Sequence, residues 1–522
     1  MPDNLENTKT KTKSTSTSTS TSTSTSTSIC IHIFRRDYRL YDNTTLIEAC
    51  KTHSLVIPIF IFTHKQIDSK LNPFRSDNSV QILCNSLQDL DTQIHSQLHT
   101  TATHTSKGQG QGIYIFHGDE FTILEDLIKL IPNLKTISFN QDYTKYSQER
   151  DAKIEKLCKT ATINCLSLDD ICLNPIGTVL TTTGKTYTKY TPFWRASASK
   201  TIRKPVANNA VNYLHSKDSI AKLLVKYKHF IHIDDVMKPN GVIMGNFNDK
   251  LIEQGGRENG LAILKKISSW KNYDVIHNNL TYQTTHLSPY NKFGCVSIRE
   301  VYWCMVAKLG KDNGLVRQLF WRDFFYNLSA KFPEIYQGGN QSSLNPKYRN
   351  IKWHENLADF HKWCNGQTGL PIVDACMREL NTTGYMHNRG RLIVSNFLCR
   401  LMHMDWHLGE KYFANQLYDY DPAQNNFGWQ MSGANSSGTT SRPLDQTILN
   451  PWLQSIQFDK QGEYIKKWCP ELKDVIPADL HKWDIACDEW LSKGIKYSKP
   501  MLDYKAEKTK NLKMYRQYIY LI

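Results

Sequence analysis

Short apolar runs separated by amphipathic stretches organise the first third of the chain. These runs lie at residues 29–34, 55–62, 112–116 and 136–140. Their composition is typical of buried parallel strands. Helical spacing of apolar residues at 79–98 and 120–130 places helices between them. The alternation predicts an α/β N-terminal domain with a parallel sheet over residues 29–173.

The remainder of the chain is patterned differently. Residues 174–235 mix Thr, Lys, Pro and Asn with little periodicity, as an interdomain connection does. From Gly260 onward amphipathic spacing dominates, which predicts a mostly α-helical C-terminal domain over residues 236–500. Residues 1–28 end in a Ser-Thr repeat that cannot bury enough surface to fold, so we expect a disordered tail. Residues 501–522 are expected to form a short basic C-terminal tail.

One predicted helix face in the C-terminal domain combines an acid, an amide and an indole. Asp421 before Pro422 matches a helix N-cap followed by proline at the first helical position. Helical spacing then aligns Asn425 and Trp429 with Asp421. A face that packs in the core is normally apolar. The mixture therefore indicates the wall of a site for a flat ligand with polar edges.

Two upstream segments repeat this mixture of polar and aromatic residues. The first segment aligns Gln318, Trp321, Arg322 and Phe325 on one helical face. In the second segment, Asn388 and Arg391 share a face, and Arg391 is placed to pair with Asp419. Three helices that present such residues to a common centre predict a pocket for a large heteroaromatic ligand.

The composition limits the kinds of molecule that we expect this protein to bind. The formal net charge of +15 and the pI near 9.0 favour a polyanion, because Lys and Arg gain affinity by releasing counterions condensed on phosphates. The thirteen cysteines show no paired C-x-x-C spacing, so we expect reduced thiols and no metal site. No apolar run approaches the roughly 20 residues that span a bilayer. We therefore expect a soluble, intracellular protein without a membrane partner.

Five motifs in the C-terminal half carry a family resemblance. In chain order they are Trp321-Arg-Asp-Phe-Phe, Thr368-Gly-Leu-Pro-Ile-Val-Asp-Ala, Gly384-Tyr-Met-His-Asn-Arg, Asn425-Asn-Phe-Gly-Trp-Gln and Asn450-Pro. Together, over about residues 273–468, they resemble the photolyase/cryptochrome family, closest in motif to the cyclobutane pyrimidine dimer DNA photolyases. Residues 34–43 resemble the opening of the N-terminal domain of that family.

The resemblance implies a deoxyribodipyrimidine photolyase, in which reduced FAD donates an electron to the dimer, the ring splits and the electron returns. The FAD-binding residues it implies are Tyr273, Thr284, Thr285, His286, Leu287, Ser288, Gln318, Arg391, Asp419, Asp421 and Asn425. The segment 284–288 would hold the diphosphate, with an ordinary helix start as the alternative. Asn425 would face the flavin N5 edge and Asp421 the polar edge of the ring. Arg391 and Asp419 would pair beside the ring, with an ordinary buried salt bridge as the alternative.

The resemblance also implies partners. We expect a monomer that binds UV-damaged DNA in the nucleus or another DNA-containing compartment. The resemblance leaves open whether an antenna chromophore, a folate or a deazaflavin, is also bound. On the substrate side it implies Gln318, Trp321, Arg322, Phe325, Asn388 and Arg389. Trp321 would stack on a flipped pyrimidine pair, the amides would read its edges and the arginines would hold the flanking phosphates. The alternative is a surface helix whose Trp packs inward and whose arginines are solvated.

Three tryptophans match the electron-transfer triad of the family. In that interpretation Trp429 reduces the excited flavin and is refilled from Trp406 and then from the more exposed Trp353. The alternative is that these indoles fill the core, as most indoles do.

Four positions depart from the cyclobutane-dimer pattern. Gln318 replaces Glu, Met431 and Tyr385 each replace Trp, and Leu392 replaces Met. Gln318 is more typical of (6-4) photolyases and animal cryptochromes. However, Asn388 and Leu392 stand where the (6-4) enzymes have histidines, and without that proton donor the (6-4) reaction is hard to run. A cryptochrome photoreceptor without repair is the alternative of a different class, and the short C-terminal tail favours repair over signalling.

Overall fold

A six-stranded sheet occupies the first part of the computed structural model, which describes residues 27–99, 112–336, 342–434 and 444–519. The strands are β1 Ile29–Ile33, β2 Leu55–Phe62, β3 Tyr114–His117, β4 Leu134–Asn140, β5 Asn164–Leu168 and β6 Phe230–Ile231. Their order across the sheet is β5-β4-β1-β2-β3-β6. The first five strands pair in parallel, and β6 runs antiparallel to β3 at the edge. Almost all of the predicted disordered tail lies outside the described residues.

Both faces of the sheet are buried, as expected for strands that read as continuous apolar runs. Ile31 in β1 is aligned with Ile57 in β2 and Ile137 in β4, and these side chains belong to one apolar cluster. The neighbouring residues Cys30 and Val56 belong to a second cluster on the other face. The predicted parallel sheet of an α/β domain is confirmed.

Five helices accompany the parallel strands: α1 Thr44–Thr52, α2 His64–Ile67, α3 Asp77–His99, α4 Glu120–Leu130 and α5 Lys145–Thr160. The patterns predicted β2 and α4 with their observed bounds, whereas α1, α5 and β5 were not predicted. The segment predicted as a connection is largely irregular. It contains α6 Tyr190–Ala198, α7 Ser219–Leu224, the edge strand β6 and α8 Ile233–Val236.

The rest of the described chain is helical, as predicted. The helices are α9 Arg257–Lys265, α10 Tyr273–Ile276, α11 Ser288–Lys292, α12 Ile298–Leu309, α13 Gly314–Lys331, α14 Leu357–Cys364, α15 Pro371–Thr383, α16 Asn388–Asn396, α17 Trp406–Gln416, α18 Pro422–Gly428, α19 Pro451–Phe458, α20 Glu463–Trp468, α21 Pro477–Leu480, α22 Trp483–Ser492 and α23 Tyr504–Ile519. Most of the predicted basic C-terminal tail is the helix α23, whose Tyr515 is fully buried.

Three of these helices meet in a way that positions the site. The helix α16 packs on α15 and on a π-helical turn, Trp429–Gly433, that directly continues α18. In turn, α18 packs on α17 and on α13. The segments with mixed polar and aromatic faces are therefore neighbours in space. Within the described ranges, no helix is both long and apolar enough to cross a membrane.

Candidate functional site

An ion pair between a half-buried arginine and a buried aspartate joins the two halves of the predicted cofactor site. The guanidinium of Arg391 donates from Nη2 to both oxygens of Asp419, at 3.2 and 3.0 Å. The same carboxylate accepts the hydroxyl of Ser288, the first residue of α11, at 2.6 Å. A further bond from Arg391 Nε to the carbonyl of Met386, at 2.9 Å, fixes the orientation of the guanidinium. The predicted Arg391–Asp419 pair is therefore present, and Ser288 of the 284–288 segment bonds to it.

The 284–288 segment reaches this cluster through an aromatic residue. The hydroxyl of Thr284 lies 3.0 Å from that of Tyr385, and His286 stacks on the Tyr385 ring with the centroids 4.5 Å apart. The guanidinium of Arg391 lies 5.5 Å from the centroid of the same ring. His286 has a positive φ of 52°, which bends the chain sharply before α11. Tyr385, which sequence analysis noted only as a substitution, is the common neighbour of these residues.

The other residues predicted in this part of the site have local contacts. Thr285 accepts the amide of Leu287 on its hydroxyl at 3.4 Å, and Leu287 is buried in the apolar cluster on one side of the sheet. Tyr273 begins α10, and its ring stacks on His277 with the centroids 4.8 Å apart. The structure therefore uses Thr285 and Leu287 to shape the loop rather than to extend the polar cluster.

Asp421 has a structural position that sequence analysis predicted only in part. One carboxylate oxygen accepts the amides of Ala423 and Gln424, so Asp421 is the N-cap of α18. The other oxygen accepts from Arg36, three residues after β1, and from the hydroxyl of Tyr326 in α13. The predicted cap is confirmed. Both oxygens are bonded within the protein, which ties the sheet to the wall of the site.

Asn425 is oriented by a backbone carbonyl. Its Nδ2 donates to the carbonyl oxygen of Glu410 in α17 at 3.0 Å. Because the donor atom is bonded in this way, Oδ1 is the atom that can accept a hydrogen bond from a ligand. Burial raises the pKa of the Glu410 side chain to about 7, so a protonatable carboxyl lies directly behind the amide pair Asn425 and Asn426. Sequence analysis did not find Glu410, because one buried acid on a helix has no local signal.

The three predicted donor tryptophans differ in burial. Trp429 and Trp406 are fully buried, whereas Trp353 is half-buried. A Cβ atom at Gly409 would lie 2.1 Å from the Trp429 ring, so this indole rests directly on α17. Trp406 and Gly409 are three residues apart and share that face of the helix. A fourth buried indole, Trp363, contacts Trp429 with the ring centroids 6.1 Å apart.

The predicted stripe on α13 runs from solvent into the core. Gln318 is exposed and Trp321 is half-buried. Arg322 turns inward and donates to the carbonyls of Ile171 and Asn291, at 2.6 and 3.3 Å. Phe325 is buried and stacks on a phenylalanine of α18 at 5.4 Å. Arg322 as a phosphate contact and Phe325 as a DNA contact therefore need correction. The carbonyls of Ile171, after β5, and of Asn291, in α11, bind Arg322, and Phe325 is a core residue.

The substrate-side residues of α16 lie at its first turn. His387 caps the helix by accepting the amide of Arg389 at 3.1 Å, and Asn388 is exposed. Arg389 is half-buried, bonded to the side-chain oxygen of Asn278 at 2.6 Å and placed over the ring of Phe458 at 4.3 Å. Burial and the nearby Arg391 and Arg389 lower the pKa of His387 to about 4, so the imidazole is neutral near pH 7.

Comparison with known proteins identifies this arrangement. The model of the DNA photolyase domain matches residues 30–210, and that of the FAD-binding domain of DNA photolyase matches residues 315–517. The deoxyribodipyrimidine photo-lyase of Alkalihalophilus pseudofirmus is 30% identical over 92% of this chain and 97% of the relative. That of Vibrio cholerae is 29% identical over 92% of this chain and 98% of the relative. This chain belongs to the DNA photolyase family.

Solved structures of the family agree with this assignment. A photolyase from Sulfolobus tokodaii, solved with two FAD molecules, is 30% identical, covers 94% of this chain and superposes with a TM-score of 0.77 over its whole length. A Synechocystis cryptochrome, at 24% identity, covers 93% of this chain and 99% of its own, with a TM-score of 0.79, and shares the fold. The prediction of an enzyme of the photolyase family with FAD as cofactor is confirmed.

The side chains of this photolyase-family site fit an FAD. Buried polar atoms normally have hydrogen-bond partners. Among the described residues, the exceptions include Tyr418 Oη, Asn291 Oδ1 and His387 Nε2. Tyr418 precedes Asp419 in the chain, Asn291 belongs to the same helix as Ser288, and His387 caps the helix that carries Arg391. All three residues therefore flank the Ser288–Asp419–Arg391 cluster. Unpaired polar atoms beside a charged cluster are what a bound polar ligand would satisfy.

One cationic residue of this region was missed. Lys292, the last residue of α11, is half-buried and donates to the hydroxyl of Ser79 at 3.2 Å. Burial, with Arg36 nearby, lowers its pKa to about 7, while the carboxylates of Asp421 and Asp419 act in the opposite direction. An approaching anion would therefore favour the charged form of Lys292. In the sequence, Lys292 is marked only by its position four residues after the 284–288 segment.

Proposed function

We propose that this photolyase-family protein repairs cyclobutane pyrimidine dimers in UV-damaged DNA with light. The observation that supports this best is that one helix serves both sides of the site. The first turn of α16 exposes Asn388, and its next turn sets the half-buried Arg391 against Asp419 at 3.0 Å. A cofactor held by Arg391 and a lesion read by Asn388 would thus be fixed relative to each other by a single rigid element.

On the cofactor side, Ser288, Arg391 and Asp419 would bind FAD, and Asn425 would accept a hydrogen bond at its N5 edge through Oδ1. Bound FAD supplies the light-driven electron chemistry, including electron donation to the dimer. The protein itself would bind the cofactor and exclude water from it. Trp429 would contribute a buried indole that is easily oxidised, with Trp406 and Trp353 behind it toward the surface.

On the DNA side, the open residues are Gln318, Trp321 and Asn388. The indole of Trp321 would stack on a base taken out of the duplex, and the two amides would bond to its polar edge. The net charge of +15 would attract the phosphate backbone. Arg389, although half-buried, lies next to Asn388 and would hold a flanking phosphate.

A (6-4) photoproduct is the disfavoured substrate. Its repair needs a histidine that donates a proton. The neighbouring His387 has a pKa lowered to about 4, chiefly by burial, and its Nδ1 accepts the amide of Arg389. It is therefore a neutral helix cap. Asn388 and Leu392, at the two positions where the (6-4) enzymes have histidines, cannot supply the proton.

The decisive experiment illuminates the reduced holoprotein with oligonucleotides that contain either a cyclobutane dimer or a (6-4) product. We expect restoration of the cyclobutane oligonucleotide alone, measured by chromatography of the intact strand. Repair of the (6-4) oligonucleotide alone would contradict the substrate assignment. Repair of neither would favour a cryptochrome photoreceptor, which shares this fold and cofactor site.

A further inference from the structure

We infer that Tyr190, in the segment between the sheet and the helical region, is a positioning residue that holds the indole of Trp321 ready for a damaged base. The inference rests on the proposed function, because it assumes that Trp321 stacks on an extruded pyrimidine. It adds a residue that the sequence motifs do not include, from a segment that sequence analysis treated as a connection.

The two rings form a face-to-face stack. Their centroids are 3.5 Å apart and their planes are inclined by only 7°. Both residues are half-buried. An indole has two faces and Tyr190 covers one of them, so a stacked base would have to take the other. A pyrimidine on the second face would continue the stack in a third layer.

Contacts on both sides hold Tyr190 in place. Its hydroxyl donates to the carbonyl of Arg317 in α13 at 2.9 Å. Its ring edge meets Phe324 at 5.9 Å and 71°, and Phe193 of the same helix also contacts Phe324 at 5.4 Å. The helix α6, which begins at Tyr190, is thus anchored along α13.

The stack with Tyr190 reduces the conformational entropy that the Trp321 side chain would lose on DNA binding. A half-exposed indole on a helix can occupy several rotamers, and fixing it on binding lowers the affinity by the entropy that is lost. The stack with Tyr190 removes that freedom before DNA arrives. Trp321 also contacts Phe324 and Phe325 at 5.9 and 5.6 Å, so its remaining edges are enclosed as well.

The alternative interpretation of this stack is that Tyr190 fills the position on the Trp321 ring that the base would take, and must move away when DNA binds. The two differ in the sign of one substitution. If Tyr190 supports the indole, Tyr190→Leu weakens binding of damaged DNA. If Tyr190 occupies the base position, the same change strengthens binding.

The test is a double-mutant cycle on the FAD-loaded protein. Tyr190→Leu and Trp321→Ala, alone and together, are compared for binding to duplexes with and without a cyclobutane dimer by fluorescence anisotropy. We expect Tyr190→Leu to weaken binding of the damaged duplex by up to about tenfold, the cost of ordering one large side chain on binding. Binding of the undamaged duplex, FAD content and the repair rate at saturating DNA should not change.

In the Trp321→Ala background, Tyr190→Leu should have no further effect. Tyr190→Phe keeps the ring and loses only the bond to Arg317, so its effect should be smaller. Phe193→Leu is the matched control, because it removes an aromatic ring from α6 that touches Phe324 and should show no coupling to Trp321.

Equal losses in both backgrounds, or tighter binding of damaged DNA by Tyr190→Leu, would overturn the inference and leave the proposed function intact. A wild-type protein that does not prefer the damaged duplex would overturn both. Thermal unfolding of each variant identifies any general loss of folding.

Discussion

The cofactor side and the DNA side of the site differ in whether their predicted residues come together. On the cofactor side, Ser288, Arg391 and Asp419 bond to one another. On the DNA side, the predicted stripe on α13 divides: Trp321 stays near the surface, whereas Arg322 bonds to carbonyls inside the protein. Residues on one helix face do not all reach the same environment.

The difference has a physical cause. An ion pair specifies its own partner, because the buried carboxylate of Asp419 needs a cation. A stripe of mixed residues specifies only a direction on the helix, and the neighbouring elements decide which members meet solvent. Here α6 and α18 both pack on α13, so the C-terminal end of the stripe enters the core.

The largest effect is expected from breaking the cofactor side at its centre. Arg391→Met leaves the Asp419 carboxylate buried without its cation, which should destabilise the protein by about 3 kcal/mol and abolish tight FAD binding. FAD released from the purified variant by denaturation measures the second effect. Ser288→Ala is the matched control, since it removes a neutral contact to the same carboxylate and should retain most of the FAD. Full FAD content in Arg391→Met would show that the pair is only structural.

A second test asks whether Trp429 acts as a donor or as core. Trp429→Phe should block photoreduction of oxidised FAD, because phenylalanine is much harder to oxidise, and should leave repair by prereduced protein largely intact. Trp363→Phe changes the indole that touches Trp429 and lies outside the predicted chain, so photoreduction should persist. Flavin absorbance under blue light with an external reductant distinguishes them. Unchanged photoreduction in Trp429→Phe would remove the assignment.

The helix that joins the two sides has a pH-dependent cap. The folded-state pKa of His387 is about 4, below the ordinary 6.5, so the unfolded chain binds a proton that the folded protein excludes between these values. Its stabilising effect, up to about 3 kcal/mol, is complete above pH 6.5 and is lost as the pH falls toward 4. His387→Asn keeps a capping acceptor and should flatten the fall in melting temperature between pH 7 and pH 4. An identical fall in both proteins would contradict the shifted pKa.

The division of the DNA side can be tested with two arginines. Arg322→Met should lower the stability by about 2 kcal/mol, because carbonyls that accepted from a cation lose their donor, and should leave the salt dependence of DNA binding unchanged. Arg389→Met should weaken binding of all duplexes and reduce the slope of log K against log salt by about 0.9. A reduced slope in Arg322→Met would restore the original expectation of a phosphate contact.

The smallest effect is expected at Gln318. A glutamine can bond to a pyrimidine carbonyl but cannot donate a proton as a carboxylic acid can, so Gln318→Glu should raise the rate of cyclobutane repair modestly. The measurement is the repair rate per absorbed light dose at saturating substrate. Gln318→Ala, which lacks both functions, is the control. A slower rate in Gln318→Glu would indicate that a neutral amide is preferred here.

Local rules account for the features that sequence analysis predicted well. The bounds of β2 and α4 follow from apolar periodicity, and the Asp421 cap follows from an acid before a proline. The Arg391–Asp419 pair was expected as a charge pair and was also implied by family resemblance. The contacts of Arg36 with Asp421 and of Tyr190 with Trp321 join residues more than a hundred positions apart. No periodicity or spacing in a single sequence encodes such contacts.

The last helix has a practical consequence for anyone who shortens this protein. In α23, Tyr515 meets Trp353 edge-on with the ring centroids 6.4 Å apart, and Asn511 accepts a bond from Arg400 at 2.8 Å. A chain that lacks the predicted basic tail, residues 501–522, would lose the contact of Asn511 with Arg400 and would expose one side of the Trp353 indole to solvent. An affinity handle therefore belongs beyond α23, as an addition to the helix and not as its replacement.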